Sequence, residues 1–358
     1  MSKRTLPILV FFVMLFAGSY AQTTVTVNNT PGTAANYRTL QGAVDSVAPG
    51  SIILLQPAAN SYGQVTVNKL VSIIGAGYFL NQNPAPYTQA NPAESIADLI
   101  VFAAGSNGSM ISGISFNSRN TPYPYQRIDV SNTSDITITR CFITRDGGSA
   151  LMTATNASNI VARQCIFYYT TAPQTVLNVK TGNNFQFYNC LFDGAGNSWG
   201  VTGDLPSTAV LFKNCTFRNY LGGVLPAGIT NITYINNVIF STLGAGTAIP
   251  AAAATNNIGN VSFSSGGGAN ITNAKEEDVL VLNTDANIIS LDGKLSLKAG
   301  SAAVNYGNDG KNAGAFGSSD SYVLSGIPVI PNIYLAETVG AATGSGGLKI
   351  RIKAKANQ

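Results

Sequence analysis

The chain of 358 residues contains no histidine, and only 10% of it is charged. Without imidazole there is no Ser-His-Asp or Cys-His nucleophile, and the usual near-neutral acid or base is missing as well. A zinc centre also loses its commonest nitrogen ligand. The scarcity of charge has its own consequence. The formal net charge is +4, falling to +2 if Lys3 and Arg4 are removed. That is too weak a field to gather nucleic acid or an anionic membrane. Tryptophan occurs once, at Trp199, and cysteine four times. Past the first 21 residues no apolar run approaches the roughly 20 residues that a membrane-spanning helix requires.

What is abundant is glycine, with 37 residues, together with Asn, Thr and Ser as the main polar residues. Such a surface is neutral and rich in hydrogen-bonding groups, which suits an extracellular β protein and excludes a charged helical bundle. The opening residues agree with that location. Lys3 and Arg4 precede an apolar stretch from Ile8 to Ala17, and small residues at Ser19 and Ala21 precede Gln22. This pattern reads as a secretory signal peptide over residues 1–21, cleaved after Ala21. The expected location is therefore secreted or at the cell surface.

The four cysteines act as a ruler. Cys141, Cys165, Cys190 and Cys215 each sit in the same short phrase, of which Phe185-Gln-Phe-Tyr-Asn-Cys190-Leu-Phe192 is an example. A period near 25 residues marks a solenoid. Within each phrase two alternating apolar sets are out of phase by one residue. A strand accommodates that only by bending, and the corner residue is Arg140, Gln164, Asn189, Asn214 or Asn236, with Gly113 earlier. Asn and Gly tolerate the left-handed backbone that such a corner needs. The same bend recurs at Ile114, and again downstream at Asn237 and Val261. Equivalent residues on stacked coils would lie about 4.8 Å apart with parallel Cβ vectors, which is poor disulfide geometry. The cysteines are accordingly expected as a column of free, inward thiols, with no metal and no cofactor.

Upstream, Tyr37 to Val47 carries apolar residues at helical spacing and stops at Pro49-Gly50. It predicts a helix capping the open end of the column and its free strand edge. Residues 81–92, with three prolines, predict a loop excursion. The domain reading is a β-helix with its N-terminal cap over 22–324, then a connector and β-hairpin over 325–358. In the last strand Lys349, Arg351, Lys353 and Lys355 share one face. This strand serves either as a cap that discourages edge pairing or as an outer-surface attachment element.

Arg38 to Tyr78, with Pro49-Gly50, Tyr62 and Ile73-Ile74-Gly75, resembles the start of right-handed parallel β-helix proteins of the pectin-lyase-like superfamily. Leu295 to Gly307 and Gly314-Ala315-Phe316-Gly317 are similar to the closing coils of uncharacterised secreted bacterial β-helix proteins. The resemblance spans roughly residues 36 to 320 and implies an all-β solenoid. It does not fix an activity, since the superfamily holds lyases, hydrolases, epimerases and non-catalytic surface proteins. Asn283-Thr284-Asp285 and Arg351-Ile352-Lys353 match polygalacturonase motifs in letters, but no paired Asp or His lies between them.

The residues following each second strand give the candidate site. Arg145, Asp146, Tyr168, Tyr169, Asp193, Arg218 and Tyr220, with Trp199 on a neighbouring loop, would stack as a stripe of aromatic, arginine and carboxylate groups. Sugar rings bind such surfaces. Glu276-Glu277-Asp278 reads as a solvated turn before a strand. The expected function is a monomeric, non-catalytic secreted protein that engages polysaccharide along one flank. Two alternatives stay open: a polysaccharide lyase or glycoside hydrolase, and a purely structural or adhesive solenoid. Nucleic acid is not an expected partner.

Overall fold

A computed structural model describes residues 22–117, 127–145, 150–169, 175–194, 200–203, 208–220, 231–242, 248–249, 251–265, 268–340 and 347–356. The signal-peptide reading of residues 1–21 lies outside them. The chain forms an all-β parallel β-helix. Among the described residues, one sheet has ten strands, a second seven and a third six, and within each sheet neighbouring strands run parallel. No helix among the described residues is long and apolar enough to cross a membrane.

Alternation builds the column. In Gly182–Tyr188 of the ten-stranded sheet, Phe185 and Phe187 are buried while Gln186 and Tyr188 are half-buried. After the corner at Asn189, Phe192 again points inward from the seven-stranded sheet. The corner residues have the expected left-handed backbone, with φ of 51° at Arg140, 53° at Gln164, 50° at Asn189, 53° at Asn214 and 56° at Asn236. Repetition then stacks like on like. Phe167, Phe192 and Phe217 lie parallel at 5.0 and 4.5 Å between ring centroids, and Phe187, Phe212 and Tyr234 form a second stack at 4.9 and 5.3 Å. Edge-to-face contacts lock the stacks together.

All four cysteines are free and buried. Burial pushes the thiols of Cys141 and Cys190 well above their ordinary range. The column continues as asparagines, buried at Asn237 and Asn257 and half-buried at Asn270. The Asn237 side chain accepts from the Cys215 N–H at 2.7 Å, that of Asn257 accepts from the Asn237 N–H at 2.9 Å, and that of Asn270 accepts from the Asn257 N–H at 2.9 Å. This corrects the expected register mark at Val261. Asn257, 20 residues after Asn237, holds that place, because a buried amide is best satisfied by another amide directly above it.

At the first end, the helix Leu40–Ser46 buries Leu40, Ala43 and Val44, and the Thr39 side chain caps it by accepting from the Gly42 N–H. Its Gln41 amide donates to Thr66 O at 3.1 Å and accepts from Thr66 N at 2.8 Å. That side chain replaces the missing neighbour of Gln64–Val67, the edge strand of the six-stranded sheet. One strand went unforeseen: Thr24–Val27 pairs in parallel with Ser51–Leu55 ahead of the helix.

The closing segment differs most from expectation. Residues 303–328 add no strands to the three sheets; they run back along the corners as a strap. Asn256 donates to Tyr306 O, Asn214 to Asn312 O, Asn189 to Ala315 O and Gly317 O, Gln164 to Ser321 O, and Arg140 to Ile327 O. Gly113 ends the series. A side chain there would meet Pro328 Cγ at 2.4 Å, so only glycine fits. The corner side chains therefore fix the strap as well as the bend. Its return brings the hairpin Asn332–Thr338 and Ile350–Lys355 beside the first coils, where Ala90 N donates to Ile333 O. The hairpin thus does not cap the final coil, although its strands do pair antiparallel.

Candidate functional site

The outer face of the seven-stranded sheet carries two rows of side chains. The first row includes Phe142, Ile166, Leu191 and Val238, all buried with Ala313 and Ala315 of the strap in a second apolar cluster. The next outward row is where the cover ends. Parallel register sets Thr144 beside Tyr168 and Tyr168 beside Asp193. The pairing of Phe192 with Phe217 then brings Arg218 next to Asp193. The sequence placed these three side chains on one flank, and the structure brings them together.

Their surroundings were not legible in the sequence. Asp193 is 2% exposed. Its Oδ2 lies 3.3 Å from Arg218 Nη1, and its Oδ1 accepts from Asn219 Nδ2 at 3.1 Å and from Gly194 N at 2.8 Å. Burial outweighs those favourable contacts and raises its carboxyl to about 6. Arg218 also reaches Glu276 Oε1 through Nε at 2.7 Å. Burial alone would depress the guanidinium, but the charges of Asp193 and Glu276 outweigh it and raise its pKa.

Asn219 and Glu276 are the members sequence reasoning missed. Asn219 has φ of 58° beside a register irregularity between Phe217 and Tyr220, which turns its amide toward Asp193. An asparagine directly after the arginine was the one available signal. Glu276 lies 58 residues from Arg218 along the chain. The structure corrects the reading of Glu276-Glu277-Asp278 as a solvated turn: Glu276–Val279 is a short helix, with Val279 buried and Glu276 half-buried. Val279 needs an apolar partner, and finding one in the cover places Glu276 against the sheet.

The remaining predicted residues divide two ways. Tyr169 does not lie on the flank. It is fully buried in the main core, and its hydroxyl donates to Thr175 O, because it falls one residue out of phase with Tyr168. A ligand on the outer face cannot reach its ring. Asp146 and Trp199, and the side chains of Arg145 and Tyr220, lie outside the described residues. Of the letter matches to polygalacturonase motifs, Arg351 belongs to the hairpin and pairs with Glu337. Among the described residues no group of three or more Cys, Asp or Glu is arranged to hold a metal ion.

This arrangement can present an aromatic face and a charged guanidinium along a single row, with the buried Asp193 carboxyl between them holding the guanidinium in place. No family model matches the chain, and no curated protein matches it. Among solved structures it is similar to the pectate lyase Pel9A, with 14% identity and a TM-score of 0.45, over 83% of this chain and 97% of that one. It is also similar to the pectin methylesterase from Aspergillus niger, with 11% identity and a TM-score of 0.38, over 72% and 93%. Likeness at this level follows the course of the chain and says nothing about chemistry.

Proposed function

We propose that the chain is a secreted or surface-held β-helix protein that engages polysaccharide without turning it over, along the row Tyr168, Asp193 and Arg218. The supporting observation is the place of that row at the edge of the apolar cover, where a half-buried tyrosine lies beside Asp193, and Asp193 with Glu276 anchors the guanidinium of Arg218 on the next coil. A sugar ring can stack on such an aromatic face, while fixed polar groups hold its hydroxyls. Fixing matters because a preorganised donor loses little freedom on binding. The chain as a whole carries little charge, which suits a hydroxylated ligand rather than a polyanion.

Binding is favoured over catalysis because both Asp193 oxygens are already engaged, Oδ2 by Arg218 and Oδ1 by Asn219 and Gly194. A general acid has to aim its proton at the leaving group. The second reading rests on one specific observation: Asp193 and Glu276 are two carboxylates bridged by one arginine, and glycoside hydrolysis uses carboxylate pairs. Retention on an array of neutral and acidic glycans, lost in Tyr168→Ala and in Arg218→Ala, supports binding. New reducing ends or unsaturated products that vanish in Asp193→Asn would establish the enzyme instead. Neither retention nor turnover leaves a structural solenoid. Secretion is tested separately by the mature N-terminus, expected at Gln22, and the monomer by its mass in solution.

A further inference from the structure

A different face holds a second site. Parallel register in the ten-stranded sheet forms one outward row running Thr26, Leu54, Ile74, Ser112, Thr139, Arg163 and Tyr188. At its first end the connector and hairpin arch over the row instead of lying flat on it. They leave a cavity of about 560 Å³ whose walls include Leu54, Pro57 and Ile74 from the coils, with Ile330, Ile333 and Ala336 opposite. Among the described residues no charged side chain lines it. A smaller cavity of about 240 Å³ shares Ile74 and Pro328 as walls and continues along the row past Ser112 and Thr139. Its walls are mixed: Met110, Pro328 and Val329 are apolar, whereas Ser112, Thr139 and Gln164 add hydroxyl and amide groups, and among the described residues Arg140 and Asp320 bring side chains of opposite charge. Each is tied into the structure, Arg140 to Gln164 Oε1 at 2.6 Å and Asp320 Oδ1 to Gln164 Nε2 at 2.7 Å.

We propose that these adjoining cavities form one binding site for a single-chain amphiphile with a neutral, hydroxylated head, chemically an alkyl or acyl glycoside. The larger compartment takes the chain. Its volume and apolar walls are those of a ligand pocket, and an ionised group buried there would find no partner. The head belongs in the smaller compartment, where Ser112, Thr139 and Gln164 supply hydroxyl and amide groups and where the charged side chains already have partners, Arg140 in Gln164 and Asp320 in Gln164 and Arg163. Continuity with exposed apolar surface gives the chain its entry. Ile333, Ile350 and Ile352 are 46, 59 and 59% exposed. Antiparallel register puts all three on one face of the hairpin, together with Ala336, and Ile333 and Ala336 also line the cavity.

The experiment is calorimetric titration of the full mature chain with monomeric dodecyl, decyl and octyl glucosides, each kept below its micelle concentration. The expected result is saturable one-to-one binding that weakens about fourfold for each methylene removed. Ala336→Trp, which fills the larger compartment from an exposed position, should weaken dodecyl glucoside at least tenfold, with an unchanged circular dichroism spectrum. Thr139→Leu should weaken dodecyl glucoside but not 1-dodecanol, because only the glycoside places a head beside it. Absence of saturable binding would overturn the site, as would indifference to chain length or to Ala336→Trp. Sedimentation with phosphatidylcholine vesicles without monomer binding would also overturn it, by showing that the hairpin face docks on membranes.

Discussion

Replacing Asn189 separates the two duties of a corner residue. Its backbone sits at φ of 50°, and its amide donates to Ala315 O at 2.9 Å and Gly317 O at 2.8 Å. Ala315 O keeps a second donor in Tyr322 N, and Gly317 O stays within reach of the Ser321 hydroxyl, whose one proton it shares with Phe316 O and Ser318 O, so neither is left without a neighbouring donor when the amide goes. The loss is then about 0.5–1.5 kcal/mol for each bond, or roughly 1–3 kcal/mol for the two, rather than the full cost of a buried unsatisfied group. Asn189→Gly keeps the left-handed backbone and should show that loss. Asn189→Ala adds the left-handed penalty of about 1–2 kcal/mol and should be the less stable by that margin. Urea unfolding followed by circular dichroism measures both differences at constant m-value. If Asn189→Gly matched the wild type, the corner amides would not hold the strap. If the two variants were equal, the corner would not demand a left-handed residue.

The remaining predictions concern the site, the column and the edge. The folded pKa of Asp193 is raised, so its charge costs nothing below about pH 4, and the penalty grows until the pH passes about 6. Relative to Asp193→Asn, wild-type stability should therefore fall by about 2 kcal/mol between pH 4 and 7; unfolding curves at both pH values for both proteins test it, and parallel pH profiles would rule it out. Four thiols per chain should titrate in denaturant without reductant, and none in the native state, since all four cysteines are free and buried. Fewer than four would mean disulfides between coils. Gln41→Ala should expose the edge at Thr66 and raise light scattering on concentration, with a stability loss of about 1 kcal/mol; scattering unchanged from wild type would show that the edge needs no cover.

The repeat was legible because every coil repeats one local problem: two strands out of phase around a left-handed corner. Period, alternation and Asn together identify it, and the inward thiols follow from the same spacing. The flank was legible in part. Tyr168, Asp193 and Arg218 follow from adding the register to the period, whereas Tyr169 was misplaced because a two-residue window after a strand does not reveal where alternation stops. Arg140 and Gln164 looked like irregular substitutes for asparagine. Their longer side chains reach Ile327 O and Ser321 O, which only the strap explains.

By itself the sequence determined the stacking, since identical short-range preferences at a fixed period force identical coils to pair in parallel. It also determined which faces look inward. Tertiary structure alone decided how residues 303–328 run, because that segment has no period and its partners lie tens to hundreds of positions away. The path of the strap in turn decided which outer rows are covered, why Glu276 meets Arg218, and why the hairpin ends beside the first coils, arched over Leu54 and Ile74.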